Sequence, residues 1–152
     1  MRVSFSIMLV CVMLGMTIAA DAPEFANTAQ VQDSRELDWL VKGGNEDLYL
    51  VNFYMPGDDH DLVKDDLQRK IAGNAKYKDR ITYIEINAAR TYQYKEALQD
   101  IGIYNEPSRM YPYILLIKSG EGYVFRGANI GDLVNRKIQN VIEGRVDFDS
   151  TK

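Results

Sequence analysis

The segment with the most chemical potential is Asp58-Asp59-His60-Asp61, with Asp65 four residues further on. Carboxylates and an imidazole at such short spacing are hard or borderline ligands for metal ions. The same groups suit acid–base work, because a histidine beside carboxylates titrates near neutral pH. A third interpretation is structural: aspartates at the start of a helix cap its free N–H groups and complement its dipole.

The sequence favours the capping interpretation, with Asp58 as the N-cap and with Asp59 and Asp61 in the first turn. The spacing matches neither an EF-hand loop nor a His-Glu-x-x-His pattern. His60 is the single histidine, and no serine or cysteine completes a catalytic constellation with it. We therefore expect no metal and no cofactor, and a metal site at residues 58–61 is the weakest alternative.

The cysteine content excludes several classes of function at once. Cys11 is the single cysteine of the chain, so everything after it lacks thiols. Internal disulfides, thiolate metal sites and cysteine nucleophiles are therefore excluded from the rest of the chain.

Length and charge describe one ordinary globular domain. The chain has 152 residues and a net charge of −4, with both signs spread along it. That length is enough for one hydrophobic core. No basic stripe indicates a nucleic acid partner, and we expect none.

The N-terminal segment has two interpretations. Arg2 precedes an apolar run that ends in small residues before Asp21, which is typical of a secretory signal peptide covering residues 1–20. The alternative is a retained membrane anchor formed by residues 3–20, at the lower length limit for a spanning helix. In that case the folded domain would lie on the non-cytosolic side.

The rest of the chain alternates helical and strand patterns. The polar segment 21–32 predicts a linker with one short edge strand near residues 30–32. A single domain is expected over residues 33–144, followed by a polar tail over 145–152. Predicted helices cover residues 33–42, 58–75, 91–101 and 130–143, and predicted strands cover 48–54, 81–86, 113–117 and 123–126. Alternation followed by a hairpin indicates an α/β fold with a mixed sheet of four to five strands.

Three landmarks give this order a family resemblance. They are Val51-Asn52-Phe53-Tyr54-Met55-Pro56, Ile84-Glu85-Ile86-Asn87 and Met110-Tyr111-Pro112-Tyr113-Ile114-Leu115-Leu116. Together they resemble the thioredoxin fold, and the segment from Phe53 to Asp61 is similar to the active-site segment of protein disulfide isomerases. The resemblance implies a central sheet flanked by four helices and a cis peptide bond before Pro112.

The resemblance also implies that the redox chemistry is absent. The two active-site cysteines of the family fall on Asp58 and Asp61, the histidine between them on His60, and the preceding tryptophan on Gly57. The buried acid that serves the resolving thiol falls on Asn52. A carboxylate does not perform thiol–disulfide exchange, so we expect no enzyme activity of that kind.

What remains is a capacity to bind. In the family, the backbone just before the cis-proline pairs with an extended polypeptide, and here that residue is Tyr111. This region of the sequence is rich in tyrosines: Tyr92, Tyr94, Tyr104, Tyr111 and Tyr113. Their strand propensity favours packing in the core and the hairpin. The alternative is a binding surface, since tyrosines are frequent at interfaces.

We therefore expect non-catalytic binding of a polypeptide or protein partner in the secretory pathway, in the endoplasmic reticulum lumen or after secretion. The expected binding residues are Met110, Tyr111 and Pro112, with Gly57, Asp58, Asp59 and His60 at the rim. The alternative is a membrane-anchored accessory subunit of a larger complex, with the membrane involved only if residues 3–20 are retained.

Overall fold

A computed structural model describes residues 23–42, 48–57 and 59–145. The predicted signal peptide or anchor, the glycines expected to end the first helix, Asp58 and residues 146–152 lie outside these ranges. Within them, no helix is both long and apolar enough to cross a bilayer.

The core of the fold is a five-stranded mixed sheet. The strands are β1 (Asn27–Ala29), β2 (Leu48–Tyr54), β3 (Ile81–Asn87), β4 (Tyr113–Lys118) and β5 (Glu121–Phe125). Their order in the sheet is β1-β3-β2-β4-β5. β1 and β2 run parallel to β3, whereas β4 runs antiparallel to β2 and pairs with β5 in a hairpin. The central strands β2 and β4 are mostly apolar because both faces of the sheet are covered.

Four α-helices are present in the described part of the chain: α1 (Ser34–Lys42), α2 (His60–Leu67), α3 (Thr91–Asp100) and α4 (Ile130–Ile142). α1 and α3 cover one face of the sheet, where Leu37 and Leu98 join the core with Val51. α2 and α4 cover the other face, where Leu67 and Val134 pack with Leu50. This arrangement confirms the predicted α/β class, five strands and four flanking helices.

The N-terminal strand lies earlier than predicted, at Asn27–Ala29 rather than near residues 30–32. Residues on both sides of this strand are also part of the core. The prediction that segment 21–32 is only a linker is therefore corrected for residues 23–32. Phe25 is buried and stacks on Tyr83 with ring centroids 4.4 Å apart, and Val31 is buried on the opposite face. Phe25 and Val31 were not recognised as core residues from the sequence because polar residues stand between them.

Two further boundaries differ from prediction. The second helix, expected over residues 58–75, is α-helical only from His60 to Leu67 and continues as a π turn over Gln68–Ala72. The hairpin, predicted with strands over 113–117 and 123–126, has the two-residue turn Ser119-Gly120, both with positive φ. A two-residue turn of this kind matches strand twist and lets β5 begin at Glu121.

Candidate functional site

Two groups of the predicted binding residues, the Met110–Pro112 loop and the turn at Gly57, lie at the same end of the sheet. β2 ends at Tyr54, and its residue Phe53 pairs with Tyr113 at the start of the antiparallel β4. The loop before β4 therefore reaches the same end as the segment leading into α2. The peptide bond between Tyr111 and Pro112 is cis, as the resemblance implied.

The side chain of Tyr111 is part of the core. The ring is buried, its hydroxyl donates to the Ile103 carbonyl at 3.2 Å, and burial raises the pKa of Tyr111 to about 12. Its ring also packs edge-on against Tyr113 at 5.1 Å. The backbone N–H of Tyr111 donates to the Ser108 carbonyl at 3.1 Å. No donor among the described residues bonds the Tyr111 carbonyl oxygen.

Only some of the other predicted binding residues lie near this carbonyl oxygen. Met110 is half-buried and packs against the α1/α3 core, whereas Gly57 is exposed with φ +89°. Asp59 is exposed and is the N-cap of α2, without a capping hydrogen bond from its side chain. The N-cap is therefore Asp59 rather than Asp58, and Asp61 lies in the first turn as expected. Asp58 itself lies outside the described residues.

His60 points into the protein instead of forming an exposed rim. Its ring stacks on Tyr54 at 4.1 Å, and the side chain is only 17% exposed. Nε2 lies 3.2 Å from Oε1 of Glu85, and Nδ1 lies 3.2 Å from Oδ1 of Asp61. Both ring nitrogens therefore face carboxylates of the chain, which leaves neither turned toward a bound metal or substrate.

Asn52, which the resemblance aligns with a buried acid, is completely buried beneath α2. Its Nδ2 donates to the Tyr83 hydroxyl at 3.0 Å, and that hydroxyl donates to Oε1 of Glu85, also at 3.0 Å. Lys64 contacts the same carboxylate oxygen at 2.9 Å. A continuous polar chain thus runs from the buried amide to the surface beside His60.

Along this polar chain, the electrostatics favour neutral groups in the buried part and a charged carboxylate near the surface. Burial raises the pKa of Tyr83 well above its usual value. Burial also acts to raise the pKa of Glu85, but hydrogen bonds from Lys64 and Tyr83 outweigh it and hold that pKa below the usual value. The buried Asn52 amide acts as a hydrogen-bond donor, and it is not a base. Its Oδ1 has no partner among the described residues.

A metal centre finds no support in the described ranges. No group of three or more histidine, cysteine, aspartate or glutamate side chains is placed there to hold an ion. Asp65 lies on α2 and is not part of the contacts around His60 that the structure shows.

The sequence analysis missed Tyr83, Glu85 and Lys64 as neighbours of the site. One signal was available: Glu85 stands between Ile84 and Ile86 in a buried strand. A carboxylate in such a strand requires partners, and period-two alternation places Tyr83 on the same face.

Comparison with known proteins identifies the fold. The chain has a thioredoxin-like fold. Thioredoxin from Trypanosoma brucei brucei superimposes with a TM-score of 0.58 at 13% identity, over 79% of this chain and 95% of that one. Malassezia sympodialis thioredoxin, Mala s 13, gives 0.54 at 15% identity, over 80% and 92%. The J-Trx1 fragment of ERdj5 gives 0.52 at 18% identity, over 78% of this chain and 51% of that fragment.

The sequence itself is far from these proteins. No protein-family model matches the chain, and no characterised protein sequence matches it either. At identities below a fifth, the structural likeness establishes the fold and nothing about activity.

Proposed function

We propose that this chain is a redox-inactive, disulfide-isomerase-like domain that binds polypeptide without catalysis in the secretory pathway. Its binding surface is the proline face, which we define as Met110, Tyr111, Pro112 and the Gly57–Asp59 approach to α2. The observation that carries the proposal is the cis Tyr111–Pro112 bond of a thioredoxin-like fold, with a Tyr111 carbonyl oxygen that accepts no hydrogen bond from the described residues.

The absence of redox chemistry follows from residue chemistry. Cys11 is the single cysteine, and aspartates occupy positions 58 and 61. A carboxylate neither attacks a disulfide sulfur nor forms a mixed disulfide. The buried amide of Asn52 is consistent with this loss, because it has no proton-accepting role to perform and donates to Tyr83 instead.

Binding is supported by the geometry of the main chain. An extended polypeptide can donate an N–H to the Tyr111 carbonyl, which is the interaction of strand addition. The N–H of Tyr111 is engaged with Ser108, so pairing through it requires the turn at Ser108–Met110 to open. Met110 supplies a flexible apolar side chain beside this carbonyl, a residue type common at surfaces that accept varied partners.

Delivery to the secretory pathway rests on residues 1–20. Their apolar run followed by small residues is typical of a cleaved signal peptide. N-terminal sequencing of the native protein tests this: a start at Ala20 or Asp21 supports delivery as a soluble domain, and an intact Met1 region supports the anchored accessory subunit.

The binding test compares two lysine substitutions in the full chain. Fluorescence anisotropy would measure binding to a labelled, permanently unfolded polypeptide such as reduced, carboxymethylated α-lactalbumin. Met110→Lys places a charge on the proline face and should weaken binding by about tenfold, as expected for one contact residue. Trp39→Lys changes an exposed residue on α1, whose Lys42 lies against Gly120 at the other end of β4 from Pro112, and should leave affinity within about twofold.

Equal affinity of both variants and the unsubstituted chain would refute the proline face as the binding surface. An insulin-reduction assay accompanies this test, and turbidity developing faster than in buffer with dithiothreitol alone would refute redox inactivity. Tyr111→Ala is a poor probe, although the sequence suggests it, because removing a buried ring tests stability rather than binding.

A further inference from the structure

The outer side of β5 is an unpaired edge of the sheet. β5 is the last strand in the order β1-β3-β2-β4-β5, so no strand among residues 23–42, 48–57 and 59–145 pairs with that side. The strand contains no proline and no lysine, and its register with β4 is continuous. Proline, lysine and bulges commonly keep such edges from pairing. This edge therefore remains a template for pairing with another chain.

The hairpin geometry determines which main-chain groups of β5 point outward. Because the turn has two residues, Lys118 and Glu121 on either side of it form the hydrogen-bonded pair that closes it. Bonded and non-bonded pairs alternate along an antiparallel ladder, so every second residue of β5 from Glu121 onward bonds to β4. The residues between them, Gly122 and Val124, direct their N–H and C=O groups away from β4. No other described residue forms a backbone hydrogen bond with these groups.

This edge is complementary to a second copy of itself. In an antiparallel pair centred on Tyr123, Gly122 of each copy stands opposite Val124 of the other. All four outward groups of each copy then exchange hydrogen bonds with the other copy. A two-fold axis perpendicular to the sheet relates the copies, as in an isologous contact. Because Gly122 has no side chain, it leaves room for Val124 of the second copy.

Partly exposed apolar side chains lie on both faces beside this edge. Val124 is 42% exposed on the α1/α3 face, where it lines a cavity with Leu37. On the other face, Nζ of Lys137 in α4 lies 3.5 Å from the centroid of the Tyr123 ring. Leu133 is 37% exposed and precedes Lys137 by one helical turn, so it lies on the same flank of α4. A second copy would cover Val124 and Leu133 together.

The charges beside the edge also favour a second copy. Glu121 and Tyr123 face α4, because side chains alternate along a strand and Tyr123 lies under Lys137. Each copy therefore brings one cation, Lys137, and one carboxylate, Glu121, to this face. In the pair centred on Tyr123, the two lysines and the two glutamates alternate around the paired tyrosines. Opposite charges and aromatic pairs across neighbouring strands are both stabilising.

We propose that two copies of this chain pair through their β5 edges to form a two-fold symmetric dimer with one continuous sheet. The contact joins two five-residue strands of about 17 Å and one flank of each α4. It is smaller than the roughly 1,600 Å² that a stable complex buries, so the expected Kd is about 100 μM. The proposal does not depend on the proline face, because no residue of that face belongs to β5 or α4.

Sedimentation equilibrium of the full chain from about 10 μM to about 1 mM tests the dimer. Val124→Pro removes an outward N–H without removing a bond to β4, and it should weaken dimerisation at least about tenfold. Val124→Thr is the matched control, because it keeps that N–H and the branched side chain. Its Kd should stay within about threefold of the unsubstituted chain. Thermal unfolding confirms that both variants are folded before the values are compared.

Disulfide crosslinking tests the register in a chain that also carries Cys11→Ser. Tyr123→Cys places two Cα atoms about 4.5 Å apart across the two-fold axis, which suits a disulfide. Glu121→Cys is the control, because its two Cα atoms would be about 14 Å apart in the same register. Under mild oxidation, Tyr123→Cys should form linked dimers at least about tenfold faster.

Three results would overturn the proposal: a chain that stays monomeric to about 1 mM, equal dimerisation of Val124→Pro and Val124→Thr, or equal crosslinking of the two cysteine variants. A fourth concerns a different occupant of the edge. If reduced, carboxymethylated α-lactalbumin shifts the Val124 amide resonance of a chain that sediments as a monomer, the edge binds foreign polypeptide instead of a second copy.

Discussion

The substitution Asn52→Asp tests whether the site beneath α2 has become specialised for a neutral side chain. It restores a carboxyl group at a position with no exposure to solvent. The two side chains have nearly the same shape, so the change is one of charge rather than packing. An ionised carboxylate there would need the Tyr83 hydroxyl as a donor, and that hydroxyl now serves Glu85.

The expected cost follows from burial. Full burial raises the pKa of a carboxyl group by up to about 3–5 pH units, and each unit corresponds to about 1.4 kcal/mol. Tyr83 has one hydroxyl proton, so a bond gained by the new carboxylate is lost by Glu85 and gives little relief. Taking the lower end of the range, we expect the free energy of unfolding to fall by about 4 kcal/mol at pH 8.

The pH dependence gives the sharper test. Burial raises the pKa of the new carboxyl group in the folded state. The folded protein therefore keeps this proton at pH values at which the unfolded chain has lost it. The difference in stability between the variant and the unsubstituted chain should therefore grow as pH rises above about 4, by about 1.4 kcal/mol per unit, and level off above the folded pKa.

Urea unfolding from pH 4 to pH 8 measures this difference, with Asn129→Asp as the control because Asn129 is exposed at the start of α4. The control should change stability by less than about 1 kcal/mol across the range. A difference for Asn52→Asp that stays constant with pH would refute the reasoning.

Three other substitutions test separate parts of the fold. Phe25→Ala should lower the free energy of unfolding by about 3–4 kcal/mol in urea titrations, because it empties a buried site in the N-terminal segment. Gly122→Ala should cost about 2 kcal/mol by the same measurement, since a Cβ there would lie 2.6 Å from the backbone oxygen of Leu116. Glu85→Gln should cost about 1 kcal/mol at pH 7 through loss of its pairing with Lys64. Because the folded pKa of Glu85 is lowered, that cost should disappear as pH falls through it.

Each of these three predictions has an outcome that would contradict it. Leu62→Ala, at a 67% exposed residue, is the control for Phe25, and equal effects would mean that the N-terminal segment is not part of the core. An unchanged stability for Gly122→Ala would contradict the close approach of β5 to β4. Glu96→Gln, at an exposed glutamate, is the control for Glu85, and parallel pH profiles would argue against the network around it.

The sequence was sufficient for most of the fold because its central strands are buried on both faces. β2 was predicted to the residue, since Leu48 to Tyr54 is apolar or β-favouring at every position except Asn52. β1 was misplaced because its own residues are polar, and its anchors Phe25 and Val31 stand outside it. Edge strands carry only half of the burial signal that central strands carry.

The site was harder to predict than the fold because its properties depend on the directions in which side chains point. The family resemblance correctly implied a cis bond before Pro112, which is a feature of the backbone. The sequence gave no information on whether His60 faces solvent or Glu85, because Glu85 lies 25 residues away on β3. The burial of the Tyr111 ring was equally hidden, since a tyrosine suits both a core and a surface.

The position of Pro23 has a practical consequence for experiments. Pro23 lies against Gly73, which follows the π turn after α2, whereas His60 begins that helix at its other end. A biotin or fusion partner attached ahead of residue 23 is thus joined to the chain at the end of α2 remote from the proline face. Immobilising the protein on a sensor chip through such an N-terminal attachment leaves Pro112 directed away from the point of coupling.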